Sequence, residues 1–425
     1  MRLDLAIVHQ QKEPMTMRGI LMISPALVFG MGSSLAPMTV GGEYSLRVDA
    51  GEHDRLESPV TFTLPDPARV HWELSGPEGG TITVQADERG QGIFILDRLA
   101  AFQTVDYRLS PVQGSPKPNA VHLEENNGRL LITKDEGPVL NYQAEKGELP
   151  RDDLEPIYRR GGYIHPVVTP GGTVITDDYP ANHKHHHGIW FPWTKTVFEG
   201  RYPDFWNMGQ GTGTVEFAGL LGQWSGPLHA GFFSAHRFLD LTVKPPKIAL
   251  KETWRVRVFA VGHGKNPFHL FELESVQKCA TPHALVLPKY RYGGLGFRGH
   301  GDWDGVENCF YLTSNGESDR IKGHTTRARW CHVGGRTNGK LAGVGVLCHP
   351  GNFRFPQPMR IHPSEPFFNF APSQAGDWEI KPGTEYVSRY RFVVSDGKPD
   401  RKLLDRLWND FAFPPRVEIR PVGKE

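Results

Sequence analysis

The run Thr253-Trp-Arg-Val-Arg-Val-Phe259 decides the fold class. Strand side chains alternate between faces, so Arg255 and Arg257 lie on one side while Trp254, Val256 and Val258 lie on the other. That division suits an antiparallel sheet with one apolar and one polar face. In Phe271-Glu-Leu-Glu-Ser275, Glu272 and Glu274 likewise share a face, as an acid and base whose environments split their pKa values or as a solvated strand face.

Further runs have the same strand composition: Leu130 to Thr133, Val139 to Tyr142, Tyr163 to Val168, Thr214 to Phe217, Leu341 to Leu347 and Tyr386 to Val394. Upstream, Tyr44 to Val48, Val60 to Leu64, Val70 to Leu74 and Thr81 to Gln85 are short β-rich runs separated by Gly, Pro, Asp and Asn. With 48 Gly and 35 Pro in 425 residues, the chain is turn-rich yet globular. Arg401 to Phe411 is the clearest amphipathic helix. The expected architecture is all-β, a small amino-terminal β-sandwich followed by a large antiparallel β-supersandwich. The Pro-rich join Gly114-Ser-Pro-Lys-Pro-Asn119 separates them. The expected divisions are residues 1–36 (upstream tail and signal peptide), 42–117 (small sandwich), 119–397 (large sandwich) and 398–425 (helix and tail).

The 48 basic and 47 acidic residues are spread without long runs, which leaves no field to capture nucleic acid or an acidic membrane. Small molecules or neutral polymers are the expected partners. Arg18, the apolar run Gly19 to Met31 and the small residues after it resemble a signal peptide over 17–36, implying export to the periplasm or beyond. Nothing downstream reaches the roughly 18 apolar residues of a membrane span. Cys279, Cys309, Cys331 and Cys348 have no C-x-x-C spacing and read as ordinary thiols, with a disulfide open to an exported chain.

Three stretches carry candidate chemistry. In Asn182-His-Lys-His-His-His-Gly188, an extended backbone would place His183, His185 and His187 on one face and His186 on the other. Clustered imidazoles disfavour their charged forms, which suits either proton transfer or metal ligation. A divalent metal on His183, His185 and His186 is open, with Asp177, Asp178 or a distant strand as source of a further ligand. Otherwise no cofactor is expected. Lys289-Tyr-Arg-Tyr-Gly-Gly-Leu-Gly-Phe-Arg298, followed by Gly299-His-Gly-Asp-Trp-Asp304, offers close backbone approach and an Arg298 fork for a carboxylate or hydroxyl pair. Cys348-His-Pro-Gly-Asn352, followed by Arg360-Ile-His362 and Glu365, offers His349, Asn352, Arg360 and His362 as substrate-binding groups. Trp190, beside the His run, is a further binding candidate.

Together with Gly162-Tyr-Ile-His-Pro-Val-Val-Thr-Pro-Gly171, these motifs resemble a bacterial family of unknown function that carries the label PmoA, methane oxygenase. The resemblance covers roughly residues 43 to 397. That family's pattern is D-H-x-H-H-x-G with an Arg before the Gly. Asn182 and His187 stand in the acid and Arg places here, so His183, His185 and His186 match while an orienting acid is missing from its usual position. The resemblance implies a galactose mutarotase-like supersandwich and carbohydrate chemistry.

The leading expectation is therefore an exported carbohydrate-active isomerase, lyase or hydrolase, with His183, His185 and His186 as acid-base groups and Arg298 and His349 holding substrate. One alternative is a noncatalytic carbohydrate-binding protein in which Trp190, Trp193, Trp206 and Trp303 stack on sugar rings. The other is a metal-dependent oxygenase using the same histidines.

Overall fold

A computed structural model describes residues 42–422 apart from 67–70, 78 and 113–116. The signal-like segment 17–36, Val70 and part of the Pro-rich join lie outside the described residues. The fold is nearly all β and sandwich-like, as expected.

Two eight-stranded antiparallel sheets form the large sandwich. The strand that contains the opening motif, Lys247–Phe259, lies inside one of them between His229–Asp240 and Phe268–Cys279. Trp254, Val256 and Val258 face inward and join Phe271, Leu273, Phe392 and Val394 in the main core. The second sheet contributes Leu140, Ile164, Ile189, Phe297 and Phe368 to the same core. A polar thread crosses this core. Tyr142 and Glu252 flank His236 at 2.7 and 2.9 Å, and Ser275 and Gln277 donate to Glu252. Every link is buried, so the hydrogen bonds repay the loss of water around each group.

The opposite face of the first sheet is charged but not freely solvated, which corrects one of the two sequence readings of Glu272 and Glu274. Arg255 and Arg257 pair in register with Glu274 and Glu272, which in turn face Arg389 and Arg391 on the strand Tyr386–Asp396. Alternating charges on neighbouring strands attract across the sheet. Asp87 and Arg89, from the small amino-terminal portion, add further ion pairs with Arg255 and Glu274. Nor are the two carboxylates an acid and base, because both are held below the usual carboxylate range.

The small portion is a single seven-stranded sheet that gathers Leu46, Val60, Trp72, Phe94 and Leu109 into its own core. Its last strand is Arg416–Pro421, which returns from the carboxy terminus to pair with Tyr44–Asp49. The expected helix spans Arg401–Ala412, capped by Asp400, and buries Leu404, Leu407 and Trp408. Arg55 donates to Asp410 of this helix at 2.9 Å with both side chains 1% exposed, tying the two ends of the chain together. All four cysteines are free thiols.

Burial alone would raise the Glu272 carboxyl, but Arg391 and Arg257 overcome it and hold it at about 2. A depressed folded-state pKa stabilises above the unfolded value and is lost as pH falls through the folded one. Wild-type protein should therefore lose stability between about pH 5 and pH 2 in excess of a Glu272→Gln variant, read as melting temperature against pH. Parallel curves for the two proteins would contradict this.

Candidate functional site

The second sheet runs, from one edge, Met359–Ile361, Phe367–Phe370, Gly296–Arg298, Ile189–Trp190, Tyr163–Val167, Gly137–Gln143, Arg129–Lys134 and Val121–Asn126. Alternation sends Ile164, Ile189, Phe297, Phe368 and Ile361 into the core. The residues between them, Tyr163, Trp190, Arg298, Phe367 and Arg360, therefore occupy the outer face. Tyr163, Trp190, Trp206 and Phe367 form a separate aromatic cluster there, and the His run sits on it. The His186 ring lies 4.9 Å from Phe367 and 5.1 Å from Trp190.

The His run is a turn and not the extended strand that alternation suggested. His186 N donates to the His183 carbonyl at 2.8 Å, and Tyr179 N donates to the His186 carbonyl. This turn brings His183 and His186 together, their rings stacked at 4.6 Å, with His185 roughly perpendicular to His186 at 4.8 Å. His187 points the other way, into the protein, where it meets Asp178 at 2.6 Å and stacks on Tyr163. The next residue must be small. A Cβ on Gly188 would come within 2.4 Å of the Ile164 carbonyl oxygen on the neighbouring strand.

The acid absent from position 182 is supplied from elsewhere in the chain. Glu365, on the turn between Met359–Ile361 and Phe367–Phe370, brings Oε2 to 3.1 Å from His183 Nδ1. His362 shapes that turn by accepting from Glu365 N at 3.1 Å through its own Nδ1. Arg298, 0% exposed, donates to Glu365 Oε2 and Asp304 Oδ1 at 2.7 Å each and reaches Asn182 Oδ1 at 3.4 Å. A guanidinium fork fixes several acceptors at once, as a lysine cannot.

Protonation follows from this packing. Burial pushes His185 down to about 4, with His183 adding to the effect, and drives His186 well below its ordinary value, with His185 next in weight. Both imidazoles are neutral near pH 7. Burial opposes ionisation of Glu365, but His183, His362 and Arg298 together hold it at about 2, so it is a carboxylate.

Imidazole nitrogens beside a carboxylate are a donor set for a divalent cation. One ligand atom from each of His183, His186 and Glu365 lies within 4.8 Å of the others. Among the described residues His186 Nδ1 is buried without a hydrogen-bond partner, His183 Nδ1 faces only Glu365 Oε2 at 3.1 Å, and that oxygen is also committed to Arg298. Two donors bound at about 2.1 Å to one ion sit roughly 3 Å apart, close to the separation of His183 Nδ1 from Glu365 Oε2.

Of the residues expected from sequence, His183, His185, His186, Arg360 and His362 line one cavity of about 120 Å³, together with Trp206, Asn207, Arg291, Tyr292 and Phe367. Arg298 supports the cavity from below through Glu365. Trp190 is 0% exposed and acts as the floor under His186. His349 and Asn352 belong to a different region: the His349 ring packs on Phe411, and Asn352 exchanges hydrogen bonds with the Arg389 backbone. Their turn closes a strand against the carboxy-terminal helix. Trp190, Trp193 and Trp303 are 0% exposed and offer no face to a sugar, and Trp206, 1% exposed, contributes only to the wall of the small His cavity. Glu365, Arg291 and Tyr292 stood inside motifs already singled out, whereas Asn207 had no signal around it.

Fold and site together define a β-sandwich protein whose outer sheet face carries a histidine-lined cavity with the Glu365 carboxylate beside His183. The chain belongs to DUF6807, a family of unknown function whose profile matches residues 129–409. No curated protein matches it. Among solved structures, the Slr1438 protein from Synechocystis sp. PCC 6803 is similar at 10% identity over 67% of this chain and 99% of that one, with a TM-score of 0.21.

Replacing Arg298 by Met leaves Glu365 and Asp304 without their shared cation. A loss of about 3 kcal/mol in unfolding free energy is expected from denaturant titration, in line with broken buried pairs. An unchanged midpoint would show that Arg298 does not organise this face.

Proposed function

We propose that this protein is a divalent-metal-dependent, carbohydrate-active enzyme, an isomerase, lyase or hydrolase. His183, His186 and Glu365 are the metal ligands, and His185 is the proton-transfer group. The observation that carries the reading is the convergence, within 4.8 Å, of ligand atoms from His183, His186 and Glu365, with both imidazoles lining the cavity. A bound divalent ion supplies Lewis-acid polarisation of a substrate oxygen.

The remaining chemistry rests on the chain itself. Among the described residues the His185 side chain has no hydrogen-bond partner; it faces the cavity and burial holds it neutral near pH 7, so it can accept a proton from a sugar carbon or hydroxyl. Arg298 keeps Glu365 ionised and oriented, the task of an outer-shell partner to a ligating carboxylate. Trp206 and Phe367 wall the cavity and limit water around the transferred proton. Carbohydrate as substrate rests on the resemblance of the sequence motifs, which implies a galactose mutarotase-like supersandwich, and a sandwich of two large antiparallel sheets is compatible with it. The pattern over 17–36 supports an exported location.

A second reading draws on the same residues. Two His and one carboxylate with open positions are also the donor set of non-haem iron oxygenases, the class suggested by the methane oxygenase label. Among the described residues no helix is long and apolar enough to cross a membrane. Oxygen uptake by the iron-loaded protein that depends on His183 and Glu365 would select this reading over the first.

Titration of tag-free protein with Zn²⁺ or Mn²⁺ should give one site per chain. His183→Ala, His186→Ala and Glu365→Ala should each abolish it, while Arg298→Lys should weaken it by about 10- to 100-fold. His185→Ala should keep the metal but lose about 10²- to 10⁴-fold in kcat on any sugar the wild-type protein turns over. Failure of wild-type protein to bind either ion stoichiometrically would overturn the proposal.

A further inference from the structure

The His cavity is too small to hold a substrate alone. At about 120 Å³ it falls below the roughly 300 to 1,000 Å³ of typical small-molecule sites. A second cavity of about 620 Å³ adjoins it, and Asn207 and Tyr292 belong to the walls of both. The Asn207 amide donates to the Tyr292 hydroxyl at 3.2 Å, so this shared wall is built and not incidental. The reacting end of a ligand can enter the smaller space while its bulk rests in the larger one.

The lining of the larger space is specific in chemistry. Tyr202, 73% exposed, presents a ring that a pyranose face can cover, unlike the buried tryptophans, while the ring of the partly exposed Tyr290 positions Lys195 Nζ 5.6 Å from its centroid. Gln210 and Asn207 add amides suited to hydroxyl groups. The charge is one-sided. Lys195 and Lys289 stand in this groove, Arg291 and Arg360 in the adjoining His cavity, and among the described residues none has a carboxylate within ion-pair distance. Asp204, the acid in the groove wall, is committed to Thr194, Asn207 and the backbone of Trp206. Arg360 is half-buried and among the described residues has only His324 as hydrogen-bond partner, and a guanidinium held in that way favours an anion.

We infer that the groove of Lys195, Tyr202, Lys289 and Tyr290 is a subsite for an acidic sugar chain, whose anionic group meets Arg291 and Arg360 at the mouth of the His cavity. This rests on the carbohydrate reading and sharpens it. The substrate is then an anionic oligosaccharide or glycoside and not a free neutral monosaccharide.

The test is calorimetric binding of uronic-acid oligosaccharides of one to six units, sulfated oligosaccharides and the neutral methyl esters of the uronates. An acidic series should bind more tightly as the chain lengthens, and at least tenfold more tightly than its neutral counterpart. A Lys195→Glu, Lys289→Glu variant should lose about tenfold in affinity for the acidic chains while its Zn²⁺ affinity is unchanged. A His186→Ala variant, stripped of metal, should still bind the chain through the groove. Equal affinity for acidic and neutral chains, or no effect of the double charge reversal, overturns the acidic subsite and leaves the carbohydrate reading standing. No binding of any sugar overturns both.

Discussion

The candidate site depends on one buried cation. Arg298 rises from the outer face of a short central strand and grips Glu365, Asp304 and Asn182 at once. A guanidinium removed from water has a high desolvation cost unless acceptors surround it, so its burial obliges those three loops to converge. Glu365 is thereby brought beside His183, and a carboxylate from the far edge of the sheet completes a cluster that the His run begins.

Everything else at the site is support for that convergence. The inward half of each strand is occupied by the main core, which leaves the outward half free to build a second, aromatic layer beneath the histidines. Tyr163, Trp190, Trp206 and Phe367 exclude water from the floor, and that exclusion keeps His186 neutral. The Asp178 and His187 pair anchors the other side of the turn, so the ring next to the cavity cannot swing inward. The charged face of the opposite sheet serves a different end. It binds the small amino-terminal sheet through Asp87 and Arg89, far along the chain from the cavity.

Much of the fold was legible because strand alternation is a short-range property. Trp254, Val256 and Val258 went to the core as their spacing requires, and the carboxy-terminal helix formed where its apolar stripe lies. Two strands with weak patterns were harder to read. His229–Asp240 mixes His, Ser and Gly with aromatics because its inward face carries the buried polar thread, and Trp330–Thr337 contains two glycines packed under Trp303 and Phe310. The site was half legible. Local sequence marks the His run, but nothing local shows that it turns between His183 and His186 or that its acid comes from Glu365. The inclusion of His349 and Asn352 failed for the complementary reason: polar residues on a Pro and Gly turn look alike whether they face a ligand or close a strand.

The central claim is that His183, His186 and Glu365 hold one divalent ion. The most direct measurement is anomalous diffraction at the zinc absorption edge from crystals grown with Zn²⁺. One strong peak is expected, bounded by an imidazole nitrogen of His183, one of His186 and a Glu365 oxygen, at about 2.0 to 2.2 Å from each. A peak elsewhere, or a cavity filled by water with the His183 to Glu365 contact retained, would contradict it.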